Sequence, residues 1–293
     1  MKQLSLIIFL LLISNCIRSQ SIKPSEYIGT LRLSNKQIIT YKINFSEISP
    51  GKIEGTSVTD IYGKNKTQSI IKGAYNEQKK KFSFYETQNI SSRSTTDKNE
   101  FCYVHVADAD IKIIDGKYML RGTFTGKYPD GKVCATGSLY LMATQDLQAL
   151  SKELLTPETI KNEDSLKLIQ EKVNTLLARK EETALKGNDV LFINTTGNEL
   201  VMEIWDGGAE EDNDIISIWV NNTVFIEKVV IKKEKKTITV PLVKGKSHIK
   251  IVALYEGKSQ PCTANMLIKD QNNSSPIVTI LKRGESATVE ITN

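Results

Sequence analysis

A chain of 293 residues with 40% hydrophobic, 7% aromatic and 25% charged residues has the length of two ordinary domains and the composition of a folded protein, neither disordered nor fibrous. Lysine and arginine exceed aspartate and glutamate by 39 − 34 = +5, an excess too small and too dispersed for a nucleic-acid footprint. Two histidines and four cysteines leave little material for a catalytic or zinc centre.

At the amino terminus Lys2 precedes an apolar run from Leu4 to Ile13. The run is too short to span a bilayer with its flanks and reads as a secretory signal, so residues 1–20 are set apart from the fold. Two processing sites stay open. Cleavage after Ser19 gives an exported chain that is secreted, periplasmic or held at the cell surface. Cleavage before Cys16, in Ile13-Ser14-Asn15-Cys16, gives a lipoprotein anchored to a membrane through Cys16. Loss of Lys2 and Arg18 in the first case leaves an excess of 37 − 34 = +3.

Export places the fold where disulfides persist. Of Cys102, Cys134 and Cys262, the first two lie in one domain and on separate predicted strands, and they are the expected pair. The alternative is three buried thiols.

Residues 21–143 read as an antiparallel β domain. Tyr41, Ile43 and Phe45 alternate with Lys42 and Asn44, which gives one buried and one wet face. Similar patterns cover 53–58, 69–75, 81–86, 101–106, 118–126 and 132–142, separated by turns such as Ser49-Pro50-Gly51, Asp115-Gly116 and Asp130-Gly131. Gly55, Gly73, Gly122, Gly126 and Gly137 fall inside strands, where they permit the sharp bends of a small barrel. The expectation is a barrel or a curved sheet of about eight strands, either filled or enclosing a ligand cavity.

The period changes over residues 144–187. Leu147, Leu150 and Leu154 make one helical stripe, and Leu166, Ile169, Val173 and Leu176 make a second that ends near Gly187 as a C′ glycine. This is a helical linker or a short coiled coil, and the heptad breaks at Lys180 and Thr183.

Period two returns over residues 188–293, with strands expected at 190–194, 199–205, 215–220, 237–242, 248–254, 264–269, 277–281 and 287–291. Many short strands in about a hundred residues argue for a β-sandwich. The basic run Lys232 to Lys236 and the run Lys79 to Lys81 read as solvated hairpin ends that protect edges.

No catalytic motif is present: there is no nucleophile elbow, zinc helix, phosphate loop or dinucleotide fingerprint. His105 and His248 alternate with apolar residues and belong on solvent faces of strands. The most distinctive stretch is Trp205 to Asp214, which holds five acids and no base in ten residues. Calcium takes six to eight oxygens from such flexible acidic loops, and Asp206, Glu211, Asp212 and Asp214 are the ligands this turn offers. A solvated acidic turn is the plainer reading.

The carboxyl-terminal motifs follow an order: Trp205-Asp206 with Gly208, Glu211-Asp212-Asn213-Asp214, Asn221-Asn222, Leu242 to Gly245, Ala253 to Gly257, and Pro261-Cys262-Thr263-Ala264. In this order and spacing residues 187–293 resemble a module recurring in exported proteins of Bacteroidetes. That module carries Gly at the positions of Asn213 and Asn222 and Asn at that of Cys262. The resemblance implies an immunoglobulin-like accessory sandwich without an established ligand. The amino-terminal segment is more loosely similar to other exported Bacteroidetes domains, through Gly122-Thr123-Phe124-Thr125-Gly126, Asp130-Gly131, Cys134 and Gly137-Ser138-Leu139.

The resulting expectation is a mostly β, non-enzymatic exported binding, adhesion or accessory protein. Its partner would be an envelope protein or a glycan, not nucleic acid. A calcium-stabilised envelope module and a hydrolase with a carboxylate pair are the alternatives.

Overall fold

The structure, a computed structural model, describes residues 24–61, 63–96, 100–155, 167, 182–208 and 210–293. The signal segment with Cys16 and the second leucine stripe of the linker lie outside the described residues.

Eight strands follow one another: β1 (Glu26–Leu33), β2 (Ile38–Ser49), β3 (Lys52–Thr59), β4 (Thr67–Asn76), β5 (Lys81–Ser92), β6 (Tyr103–Ile114), β7 (Lys117–Lys127) and β8 (Val133–Ala143). Each pairs antiparallel with the next, and β8 returns to β1, so the meander closes into a barrel. Inward-facing Tyr41, Ile43 and Phe45 of β2 meet Tyr27, Phe82, Phe84, Leu120 and Leu141, all buried. Phe82 has its ring centroid 4.8 Å from that of Phe45 and 5.7 Å from that of Phe84. These rings pack the interior below a cleft of about 480 Å³ that reaches Phe45, Ile53, Tyr75 and Phe82, and each ring contributes about 2–3 kcal/mol through the surface it removes from water.

Closure requires close strand contacts at glycines. A Cβ on Gly29, Gly55, Gly73 or Gly137 would stand 2.1, 2.0, 2.1 or 2.2 Å from a carbonyl oxygen of another strand. Cys102, just ahead of β6, and Cys134 of β8 form the expected disulfide, with S–S 2.02 Å. The bridge passes over β7 at Gly126, where a Cβ would lie 2.4 Å from the Cys102 sulfur. Cys262 is a buried free thiol.

Helix α1 (Thr144–Leu154) follows β8, and Asp146 in its first turn accepts a hydrogen bond from the Tyr118 backbone N at 2.6 Å. The helical linker was expected to run to Gly187. Instead Thr183–Lys186 form strand β9, and Gly187 opens a turn between strands in which Asn188 has φ 66°. The four residues of β9 are too few for their period to show in a charged stretch.

The remaining strands are β10 (Val190–Asn194), β11 (Glu199–Trp205), β12 (Asp214–Val220), β13 (Thr223–Val230), β14 (Lys236–Pro241), β15 (Lys246–Glu256), β16 (Cys262–Lys269), β17 (Ser274–Leu281) and β18 (Ser286–Thr292). They form two five-strand layers, β13-β12-β15-β18-β10 and β14-β11-β16-β17-β9. One core joins the layers, with Ile216, Ile218, Ile249, Ile251 and Val289 from the first and Met202, Ile204, Ala264, Met266 and Ile277 from the second. The Lys232 to Lys236 run joins two layer edges, β13 and β14, so it is a crossover between layers and not a hairpin end.

Barrel and layers are joined through β5. Its far end pairs with β10 at Phe192↔Ser92 and Ile193↔Ser91, which makes one continuous sheet of thirteen strands.

Candidate functional site

The acidic turn docks onto the basic crossover. The Asp206 backbone N donates to Lys232 O at 2.7 Å, and the Lys233 backbone N donates to Glu211 Oε1 at 2.6 Å. Lys233 Nζ bonds the Gly208 carbonyl and lies 4.0 Å from Asp206 Oδ1, while Lys235 Nζ sits 4.7 Å from the centre of the Trp205 ring. Lys233 therefore brings one positive charge to Asp206, while Lys235 pairs with Glu203 at 2.9 Å.

Within the turn Glu211 is directed to the Lys233 backbone, and Asp206 accepts from Gly208 N at 2.7 Å. Asp214 is 1% exposed; its Oδ2 accepts from Thr263 N at 2.6 Å, the Cys262 thiol interacts with the same carboxylate, and Oδ1 accepts no N–H or O–H bond among the described residues. Burial first, then the charges of Asp212 and Asp206, push its carboxyl up to about 6 against the opposing Thr263 bond. Burial, with Asp214, Asp212 and Glu256 nearby, pushes the Cys262 thiol up to about 12. Among the described residues no three His, Cys, Asp or Glu side chains gather in an arrangement that could hold a metal. Asn213 and Asn222 adopt φ 68° and 67°, the left-handed conformation in which asparagine replaces glycine at least cost.

His248 is exposed, 3.8 Å from Glu290, and His105 stacks on Tyr85 outside the barrel. Two acids, Glu47 and Glu54, line a cleft at one barrel mouth. Glu47 accepts from Gly51 N at 2.6 Å and Glu54 pairs with Lys72 at 3.2 Å, so each already serves a local partner.

Another cavity, of about 440 Å³, lies where the barrel meets the first layer. Its walls come from the segment after β5 (Ser94, Phe101) and from the outer face of β10, β15 and β18 (Phe192, Asn194, Lys246, Glu290). Lys246 Nζ bonds Glu290 Oε1 at 2.6 Å, and the Ser94 and Thr96 hydroxyls are 2.7 Å apart. Both ends of the barrel segment are fixed, by Arg93 Nη2 on Asp189 Oδ2 at 2.6 Å and by the Cys102–Cys134 bridge beside Phe101. The composition of any one segment did not reveal this cleft, because its residues are scattered over two hundred positions and meet only through the β5–β10 pairing.

No protein family, curated protein or solved structure matches the chain.

Proposed function

We propose that the chain is an exported, non-enzymatic binding protein whose ligand is a neutral, hydroxyl-rich molecule of the glycan class, seated in the cleft between barrel and layers. One observation carries the reading: a cavity of ligand size at the junction combines two aromatic rings with uncharged polar side chains, whereas the cleft at the barrel mouth holds two carboxylates. Two half-buried phenylalanines offer apolar faces for sugar rings. The Asn194 amide, whose Nδ2 also donates to Asn89 O at 3.2 Å, and the serine and threonine hydroxyls offer polar contacts without net charge, and the cleft's two charged groups neutralise each other. In this reading the carboxyl-terminal layers are an immunoglobulin-like accessory sandwich that supplies one wall of the site.

The test is a screen of neutral oligosaccharides followed by calorimetry on the best binder. Phe192→Ala and Asn194→Ala should each weaken binding at least tenfold while near-ultraviolet circular dichroism stays unchanged. Failure to bind any neutral glycan, or binding that survives both substitutions, overturns the proposal.

A second reading, calcium at the acidic turn, rests on the buried Asp214 carboxylate with the charges of Asp206 and Asp212 near it, and these side chains would have to converge further to ligate an ion. Calcium would have to displace the Lys233 ammonium. This reading expects millimolar calcium to raise the melting midpoint, and to raise it further in Lys233→Gln; no shift in either protein rejects it.

A further inference from the structure

The outer wall of the barrel carries a second built feature, independent of the junction cleft. Strand register sets Glu54, Lys72, Tyr85, His105 and Thr125 in one row across β3, β4, β5, β6 and β7. Tyr85 and His105 stack with centroids 5.9 Å apart and planes 18° apart, and Tyr85 remains 45% exposed. Beside this pair β6 carries one extra residue: it advances from Val106 to Ala109 while β5 moves only from Phe84 to Phe82. The register shift is a β-bulge, which bends its strand and increases the local twist. A groove of about 580 Å³ lies here, with Gly73, Ala74 and Ala107 among its lining residues.

Charge in the groove is one-sided. Lys52, Lys72 and Lys127 line it against the single carboxylate of Glu54, which is engaged by Lys72 at 3.2 Å. Lys52 and Lys127 make no ion pair among the described residues. Three ammonium groups around a concave groove attract an anion more strongly than the same charges on a flat surface. The wall belongs to a closed barrel, so it presents no free strand edge on which a peptide backbone could add. Recognition here must come from charge and ring contact.

We propose that this groove binds an acidic oligosaccharide, with its carboxylates held by Lys52, Lys72 and Lys127 and a sugar ring packed against the exposed ring of Tyr85. Glu54 opposes the ligand and limits affinity. His105 supports the Tyr85 ring from behind. Burial, and next the charge of Lys127, lower the His105 pKa, and an arriving carboxylate would oppose that shift.

The experiment is calorimetry on the folded chain with a galacturonic acid oligomer, an uncharged galactose oligomer and poly-glutamate, in low salt and in 150 mM salt. The acidic oligomer should bind, more weakly as salt rises, and the neutral one should not. Tyr85→Ala and Lys127→Gln should each weaken binding at least fivefold, and Glu54→Gln should tighten it. The His105 ring resonances should move on addition of ligand, and their titration midpoint should rise. Phe192→Ala should change nothing, which separates this site from the junction cleft. The proposal is overturned if the acidic oligomer does not bind, if the neutral oligomer binds equally well, or if Tyr85→Ala leaves affinity intact. It is also overturned if poly-glutamate binds as tightly as the sugar.

Discussion

Arg93, the first residue after β5, and Asp189, in the turn between β9 and β10, form an ion pair of 2.6 Å that crosses from barrel to layers. Asp189 Oδ2 also accepts from Lys186 N at 2.9 Å, so one carboxylate fixes its own turn and the neighbouring unit together. Both side chains are about a quarter exposed, which limits the pair to roughly 1 kcal/mol. Arg93→Ala should lower overall stability by about that amount while raising hydrogen exchange in β10 and the 92–96 segment more than in either core. Uniform exchange across the chain would show that the pair does not fix the junction.

The Cys102–Cys134 bridge requires a residue without a side chain beneath it. In Gly126→Ala the new methyl would fall within van der Waals distance of both sulfurs. The expected outcome is incomplete oxidation, read as titratable thiols in excess of Cys262. A stability loss in urea close to that of Cys102→Ser with Cys134→Ser should accompany it. Closing about thirty residues is worth roughly 3–4 kcal/mol in the chain-entropy account.

Asp214 links stability to pH. Its carboxyl is raised in the fold from an ordinary value of 3.8 to about 6, so the native state holds the proton more tightly than the unfolded chain does. The stabilisation from that protonation is complete below about pH 4 and is lost as pH rises through 6. Asp214→Asn keeps an oxygen for Thr263 N and removes a charge beside Asp206 and Asp212. Its stability relative to the parent should improve by roughly 1–3 kcal/mol between pH 4 and pH 8. Urea melts at the two pH values measure this, and an equal difference at both would refute it.

Inside the barrel Glu86 is 5% exposed and accepts three bonds: Tyr41 Oη at 3.0 Å, Ser57 Oγ at 2.6 Å and Val104 N at 2.7 Å. Burial raises its pKa and the three donors oppose the shift. Glu86→Gln turns an amide N–H toward one of these donors, and the unsatisfied contact should cost about 1–3 kcal/mol by chemical denaturation. A neutral result would mean that the three donors find other acceptors.

What the sequence disclosed depended on how one-sided each strand's surroundings are. Tyr41, Ile43 and Phe45 announce β2 because one face looks into a dry barrel and the other into solvent. The barrel's strand count and its Cys102–Cys134 pair were legible for similarly local reasons. Strand β13 escaped because it lies at an edge, with Val224 43% and Phe225 39% exposed, so no alternation is imposed on it. The acidic turn was visible as a composition, but its docking against Lys233 was not, since residues twenty-five positions apart meet only when β13 crosses to β14. Both clefts stayed hidden for the same reason: strand register brings their residues together.

The junction between barrel and layers has a mechanical consequence. The β5–β10 ladder has two register pairs, against seven in β1–β2 and seven in β15–β18. Load applied along the chain between the two units falls on those two rungs, on the Arg93–Asp189 pair and on the hydrogen bonds from Asn194 to Asn89 and from Lys66 to Glu182 before it reaches either core. Under tension the protein should lengthen first by opening there, as a short release stage ahead of unfolding. The cavity at that junction would then lose one of its walls while the barrel and its outer groove remain whole.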